Sequence, residues 1–422
     1  MAMVKKPTTG MKDVLPEEMQ LRDYVTRLVK ETYSTFGFSS IETPAVEHIE
    51  NLCSKQGGEN EKLIFKILKR GEKLQLTEGV KEEDLVDSGL RYDLTVPLSR
   101  YYSNHAAELP SPFKALQIGP VWRADRPQKG RFRQFVQCDI DILGDPSILA
   151  EIELITATTT LLGKLDFKGF TVRINDRRIL KAMAAYSGFE EKDYDNIFII
   201  LDKMDKIGIE GVREELIEDG YDSASVAKYI DLFGSISDDL ESIDKLAKQL
   251  GDFLEKDCYD SLTGIISSAK KIQSVPFAIS FDPTLVRGMS YYTGTIFEIS
   301  MDEFGSSVAG GGRYDEMIGK FTGKPVCACG FSIGFERIIT ILMDKGYKVP
   351  GEKLKYAFLI EKGADDEFIA EVLNEATVLR RTGATVLVSM MNKNKKFQKE
   401  QLEAQGFSTE HIKEFYHTDF KK

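Results

Sequence analysis

The segment FVQCDIDIL, residues 135–143, constrains the fold more than any other part of the chain. Its polarity alternates with the period of an extended strand, whose successive side chains point to opposite faces. Phe135, Gln137, Asp139 and Asp141 fall on one face, and Val136, Cys138, Ile140 and Ile142 on the other. The second face is core, which makes the strand central rather than an edge. Carboxylates on the first face then need partners, because an unpaired buried charge costs several kcal/mol or changes its protonation. Two arrangements satisfy this: a structural salt bridge to a neighbouring arginine, or a pocket for a cationic or NH-bearing ligand.

A second segment, GLRYDLTVP, has the same alternation, with Arg91, Asp93 and Thr95 on one face of a strand expected over 90–97. Two polar strand faces favour a pocket floor. Further strands are expected over 113–123 and 132–143, and LIFKILKRGEKLQL reads as a hairpin turning at Arg70 and Gly71. Residues 17–35 carry apolar side chains at helical spacing. From about 170 to 265 the texture becomes helical with acidic clusters, and β-rich, glycine-rich sequence then returns. One domain, 1–169 and 266–346, is therefore expected to be split by a helical insertion, 170–265. A small α/β unit is expected over 353–422. The expected fold class is α+β.

At 422 residues the chain exceeds a single ordinary core, which stops growing at roughly 250 to 300 residues. No apolar run approaches the roughly 20 residues that cross a bilayer, and the first residues lack a secretory pattern. A cytoplasmic location with no membrane association is expected. Five cysteines form no regular framework, so disulfides and zinc are not expected. A net charge of -11 argues against diffuse nucleic-acid binding and sends any RNA contact to local basic patches. The four histidines, His48, His105, His411 and His417, lie outside the richest motifs, so the chemistry must run without histidine as proton carrier.

Such a patch is RADRPQKGRF, which with Arg133 crowds Arg123, Arg126, Lys129 and Arg131 between two strands. It is either a solvated loop tip or a clamp for polyphosphate or RNA, for which arginine provides paired donors. VAGGGRYD is either a loop or a place where backbone without Cβ atoms approaches a flat or anionic ligand. It matches neither the dinucleotide fingerprint nor the phosphate loop. In GFSIGFERI, Arg337 lies early in a helix that follows a strand. It is either a surface arginine or the answer to a bound anion.

In combination these segments resemble the class II aminoacyl-tRNA synthetases, and the histidyl-tRNA synthetase family in particular. The stretch around Pro44, VWRADRPQKGRFRQFVQCDIDILG and GFSIGFERI resemble the three class motifs. LVRGMSYYTG, VAGGGRYD and RYDLTVP resemble the histidine-specific ones. The resemblance covers Pro7 to about Val388.

It implies a class II synthetase-type antiparallel sheet with flanking helices, a homodimer, and ATP with Mg2+ used to join L-histidine to histidine tRNA. It places the α-phosphate on Arg123, the γ-phosphate side on Arg337 and adenine on Phe135. Asp93, Thr95 and Gln137 match positions holding the ammonium and carboxylate of histidine, and Asp141, Tyr291 and Tyr292 those around the imidazole. Arg287 matches the catalytic arginine by the α-phosphate and the substrate carboxylate. Arg126 and Gln128 match positions that read the tRNA acceptor end. Nothing in the motifs names the protein ligands of the metal.

Ser290 and Met289 stand where the family usually has Asp and Leu, and Glu316 where it usually has Gly. The unit 353–422 resembles the family's anticodon-binding domain and is expected to be a shortened form of it. Two other roles share parts of this pattern: a regulatory subunit of ATP phosphoribosyltransferase, and a sensor of uncharged tRNA. The first has no use for Arg123, Arg337 and the basic loop, and the second is usually joined to a kinase, of which there is no signature.

Overall fold

The computed structural model describes residues 3–53, 61–127, 132–234, 240–286, 291–301, 306–351 and 353–419. The chain forms two compact units, one of residues 1–14 and 22–345 and the other of 15–21 and 346–422.

Among the described residues, the larger unit is built on an eight-stranded sheet. Its strands are β1 (Ser39–Ser40), β5 (Phe113–Trp122), β6 (Gln134–Leu143), β7 (Phe170–Asp176), β8 (Ala278–Phe281), β9 (Thr295–Met301), β10 (Ser306–Arg313) and β11 (Ala328–Gly334). The order across the sheet is β1-β5-β6-β11-β10-β9-β7-β8. The pairs from β5 to β7 are antiparallel, and the two outermost are parallel. β6 is central, as its two-sided pattern requires. Cys138, Ile140, Ile142 and Leu143 are fully buried, and the helix Leu149–Lys164 packs on β6 and β11. Each such apolar side chain contributes about 1.5–3 kcal/mol.

The helical texture expected from about 170 opens on a strand instead. Residues 170–176 form β7, an internal strand paired with β8 and β9, and among the described residues the helices that follow lie between Arg177 and Lys271. Alternating Phe170, Val172 and Ile174 are the buried residues that give the strand away.

Two other local expectations are corrected. A small second sheet has the order β2-β4-β3, from β2 (Val46–His48), β3 (Lys66–Leu68) and β4 (Val86–Leu90). The turn at Gly71 exists, with φ +60°, but β3 pairs with β4 rather than with residues 72–76. Leu76 is exposed, so the stretch has no face to bury. The strand expected over 90–97 ends at Leu90, and Thr95–His105 is a helix. Asp93 Oδ1 accepts a 3.0 Å hydrogen bond from the Val96 amide, serving a first-turn donor, and Pro97 sits where a missing N–H costs nothing.

The smaller unit carries a parallel sheet of order β13-β12-β14, from β12 (Lys355–Ile360), β13 (Thr385–Met390) and β14 (Ile412–Phe415). The helix Asp366–Arg381 starts at Asp365, which accepts from the Phe368 amide, and buries Phe368, Val372 and Ala376 against Phe358 and Phe415.

Candidate active site

The polar face of β6 forms the wall of a cavity of about 530 Å³. Its deep end is acidic. Asp139 and Asp141 lie two residues apart on β6, and Asp93 reaches in from the turn before the helix Thr95–His105. All three are buried. Burial pushes each carboxyl above the usual range, and repulsion adds to it: Asp141 raises Asp139, and Asp93 raises both. Asp141 is pushed up to about 7, with a hydrogen bond from Tyr314 opposing the shift.

Backbone architecture makes room for this cluster. Gly330 stands opposite Asp141 in the β6–β11 register, and a Cβ there would lie 2.0 Å from Asp141 Oδ1. The glycines of VAGGGRYD belong to β10, not to a loop, and Gly310 and Gly311 line the cavity. A Cβ on Gly311 would lie 1.9 Å from the Gly330 carbonyl oxygen, so neighbouring strands could not pair as they do. Tyr314, just beyond β10, donates a 2.6 Å hydrogen bond to Asp141 and faces Tyr291 with ring centroids 6.0 Å apart. Tyr292 and Thr95 also line this end.

Among the described residues, two buried acceptors at this end lack a protein donor: Asp93 Oδ2 and Gln137 Oε1. The Gln137 amide donates toward Asp139 at 3.2 Å and Ser332 at 3.3 Å, which leaves its oxygen unpaired. A buried acceptor without a donor costs about 1–3 kcal/mol, a cost that a ligand N–H removes. The site is thus shaped for a small molecule with an ammonium group and further N–H donors.

The opposite end is cationic and aromatic. Arg123 stacks over Tyr92, with its guanidinium 4.2 Å from the ring centroid, and lies 5.2 Å from that of Phe135. Its Nε donates to the Tyr92 carbonyl at 3.2 Å, which fixes the guanidinium in place. Arg337, in the first turn of the helix Phe335–Asp344, donates to the Ser307 carbonyl and lines the same end. A flat base and a polyphosphate suit these groups. An acidic pocket for an amino compound therefore opens directly onto an anion site.

Comparison with known proteins identifies the setting. Residues 10–338 match the family model described as histidyl-tRNA synthetase. The chain belongs to the histidyl-tRNA synthetase family. A histidine–tRNA ligase of Leifsonia xyli is 46% identical over 355 residues, 81% of each chain. A probable histidine–tRNA ligase of Tropheryma whipplei is 41% identical over 412 residues, 95% of this chain and 94% of its own. The crystal structure of histidyl-tRNA synthetase from Nostoc sp. PCC 7120 superposes with a TM-score of 0.77 at 27% identity, covering 96% of this chain and 90% of the other. A protein described as an ATP phosphoribosyltransferase regulatory subunit/histidyl-tRNA synthetase from Bacillus halodurans shares the fold, with a TM-score of 0.78 at 20% identity. The architecture is that of class II synthetases.

Within this histidyl-tRNA synthetase fold, the cavity gathers Asp93, Thr95, Arg123, Phe135, Gln137, Asp141, Tyr291, Tyr292 and Arg337 from segments far apart in sequence. Arg126 is exposed and does not line it. Arg287 and Gln128 lie outside the described residues, as do Met289 and Ser290. Arg91 turns away, donating to the Pro120 and Thr43 carbonyls. Sequence reasoning missed Tyr314, Ser332 and the requirement for Gly330. The run GGGRY contained the signal for Tyr314, since a tyrosine ending a strand beside a polar strand face can reach a carboxylate.

Proposed function

We propose that the chain charges tRNA with histidine, and that the cavity is where L-histidine and ATP react. The observation that carries this reading is the pair of buried, unpaired acceptors, Asp93 Oδ2 and Gln137 Oε1, beside two further carboxylates. The α-ammonium would meet Asp93 and Gln137, with Thr95 alongside. The imidazole would lie among Asp141, Tyr291 and Tyr292. ATP would stack its adenine on Phe135, with Arg123 at the α-phosphate and Arg337 toward the γ-phosphate.

In the first step a histidine carboxylate oxygen attacks the α-phosphorus in line. The bond to the β,γ-phosphate unit breaks, pyrophosphate leaves, and histidyl-adenylate remains. Arg123, with Arg287 as the resemblance assigns it, would stabilise charge on the phosphoryl oxygens, which needs positioned donors rather than a proton carrier. Among the described residues no histidine lines the cavity. In the second step the terminal ribose hydroxyl of the tRNA attacks the adenylate carbonyl, loses its proton, and AMP leaves. Arg126 and Gln128 would read the acceptor end. Mg2+, when bound with ATP, would neutralise charge on the phosphates, for which one or two carboxylates beside the phosphate oxygens suffice.

The regulatory-subunit alternative is not favoured, because relatives 36–46% identical over most of the chain are histidine–tRNA ligases. A homodimer would use the β2-β4-β3 sheet, where Val46 and Leu68 are exposed apolar residues. Among the described residues no helix is long and apolar enough to cross a membrane. Charging of a histidine tRNA transcript with labelled histidine tests the reading. Accumulation of histidyl-tRNA supports it, and its absence with active ATP binding opposes it.

A further inference from the structure

β6 and β11 pair in register only as far as Gln137 and Gly334, because β11 gives way to a helix at Phe335. Just beyond that point the Val136 amide donates at 3.2 Å to Glu336 Oε1, so a side-chain carboxylate takes the place of the missing strand. Glu336 is held in turn by Arg22 of the helix Pro16–Thr35, whose two terminal nitrogens each donate to one carboxylate oxygen at 2.7 Å. Both residues are only 8% exposed. The Arg22 guanidinium also lies over the Phe335 ring, 5.1 Å from its centroid.

The neighbours in sequence of these anchored atoms are two of the residues at the cationic end of the cavity. Phe135 precedes Val136, and Arg337 follows Glu336. We propose that Arg22 and Glu336 are positioning residues for the nucleotide: the fork from Arg22 to Glu336, continued to the Val136 amide, sets the spacing between Phe135 and Arg337. The inference rests on the assignment of those two residues to ATP. A buried ion pair is a poor source of stability, since apolar replacement is often neutral, but one spanning three elements fixes their separation. Displacement of a binding group by about 1 Å is enough to cost up to about a hundredfold in rate.

The test is pyrophosphate exchange, with KM measured separately for ATP and histidine in Arg22→Met, Glu336→Gln, the double variant Arg22→Met/Glu336→Met, and Arg337→Ala as reference. Arg22→Met and the double variant are expected to raise the KM for ATP about tenfold and to leave that for histidine within about twofold. The double variant, with no uncompensated buried charge, is expected to melt near the wild-type temperature while keeping the ATP defect. Glu336→Gln, which retains an acceptor for Val136, is expected to show a smaller ATP defect. An unchanged KM for ATP in the double variant, with a raised one in Arg337→Ala, overturns the positioning role. Equal rises for both substrates overturn it as well. An unchanged KM for ATP in Arg337→Ala overturns the underlying assignment and this inference with it.

Discussion

The Tyr314 hydroxyl donates to Asp141 Oδ1 across 2.6 Å, joining the residue just beyond β10 to the polar face of β6 in a buried pair. The hydrogen bond favours the charged carboxylate while burial disfavours it, and the balance leaves Asp141 titrating at about 7. Its charge state is therefore open to control by whatever occupies the cavity.

The sign of the resulting pH dependence follows. An exposed aspartate in the unfolded chain loses its proton near pH ~4, whereas folded Asp141 holds it to about 7. Over that interval the native state binds the extra proton, so the unliganded fold loses stability as pH rises, by up to about 1.4 kcal/mol per pH unit for one group. Urea denaturation of Asp141→Asn at pH 5, 6 and 7 is expected to give a shallower decline than wild type. The decline does not vanish, because Asp93 and Asp139 are raised too.

Gly330→Ala places a methyl group on Asp141 Oδ1 and close to the Tyr314 ring, at 2.0 and 3.2 Å in the present geometry. The carboxylate must turn away from its tyrosine. The KM for histidine is expected to rise by about tenfold or more, in line with loss of a charge-assisted hydrogen bond, while the KM for ATP stays near wild type. Steady-state exchange kinetics check the split.

Arg123 is stacked, hydrogen-bonded and directed at the cavity, so lysine is no substitute for it. Arg123→Ala is expected to slow pyrophosphate exchange by about a hundredfold or more, as for loss of one preorganised donor, and Arg123→Lys to recover little of it. Single-turnover adenylate formation distinguishes this from weakened binding.

How far the sequence disclosed the site depended on the range of the interactions involved. The polar face of β6 was legible because strand alternation is a local rule, and its central position followed from the apolar residues between. Asp93 and Thr95 are marked by an alternation whose implied strand the structure does not have. An aspartate serving a first-turn amide and a proline in that turn are instead helix-start chemistry. Gly330, Tyr314 and the Arg22–Glu336 pair were not legible. Each matters through a partner 173 or more residues away, and no local periodicity reports that distance.

Lys393, Lys395, Lys396 and Lys399 form a second local basic patch, in the smaller unit, and divide into two kinds. Lys399 lies 2.6 Å and Lys395 3.6 Å from Glu414, whose carboxyl is held down at about 2 by hydrogen bonds from Lys399 and Tyr416 and by the nearby charge of Lys395, so both lysines are committed within the small unit. Lys396 reaches Glu400, at 4.0 Å on an exposed helix face. Lys393→Ala/Lys396→Ala is expected to leave pyrophosphate exchange intact and to reduce the salt dependence of tRNA affinity, by about one unit of slope for each phosphate no longer neutralised. Filter binding across a salt series reads this, and an unchanged slope places the RNA contact elsewhere.

In the proposed site the α-ammonium of histidine meets the buried acceptors of Asp93 and Gln137, and the imidazole is selected among Asp141, Tyr291 and Tyr292. The decisive measurement is pyrophosphate exchange by wild type and Asp93→Asn, with each of the twenty amino acids in turn. Exchange is expected to depend on histidine alone, and in Asp93→Asn the KM for histidine is expected to rise about ten- to a hundredfold with that for ATP little changed. Histidine-dependent exchange of wild-type efficiency in Asp93→Asn would contradict the ammonium contact, and exchange supported equally by amino acids without an imidazole would contradict the imidazole pocket.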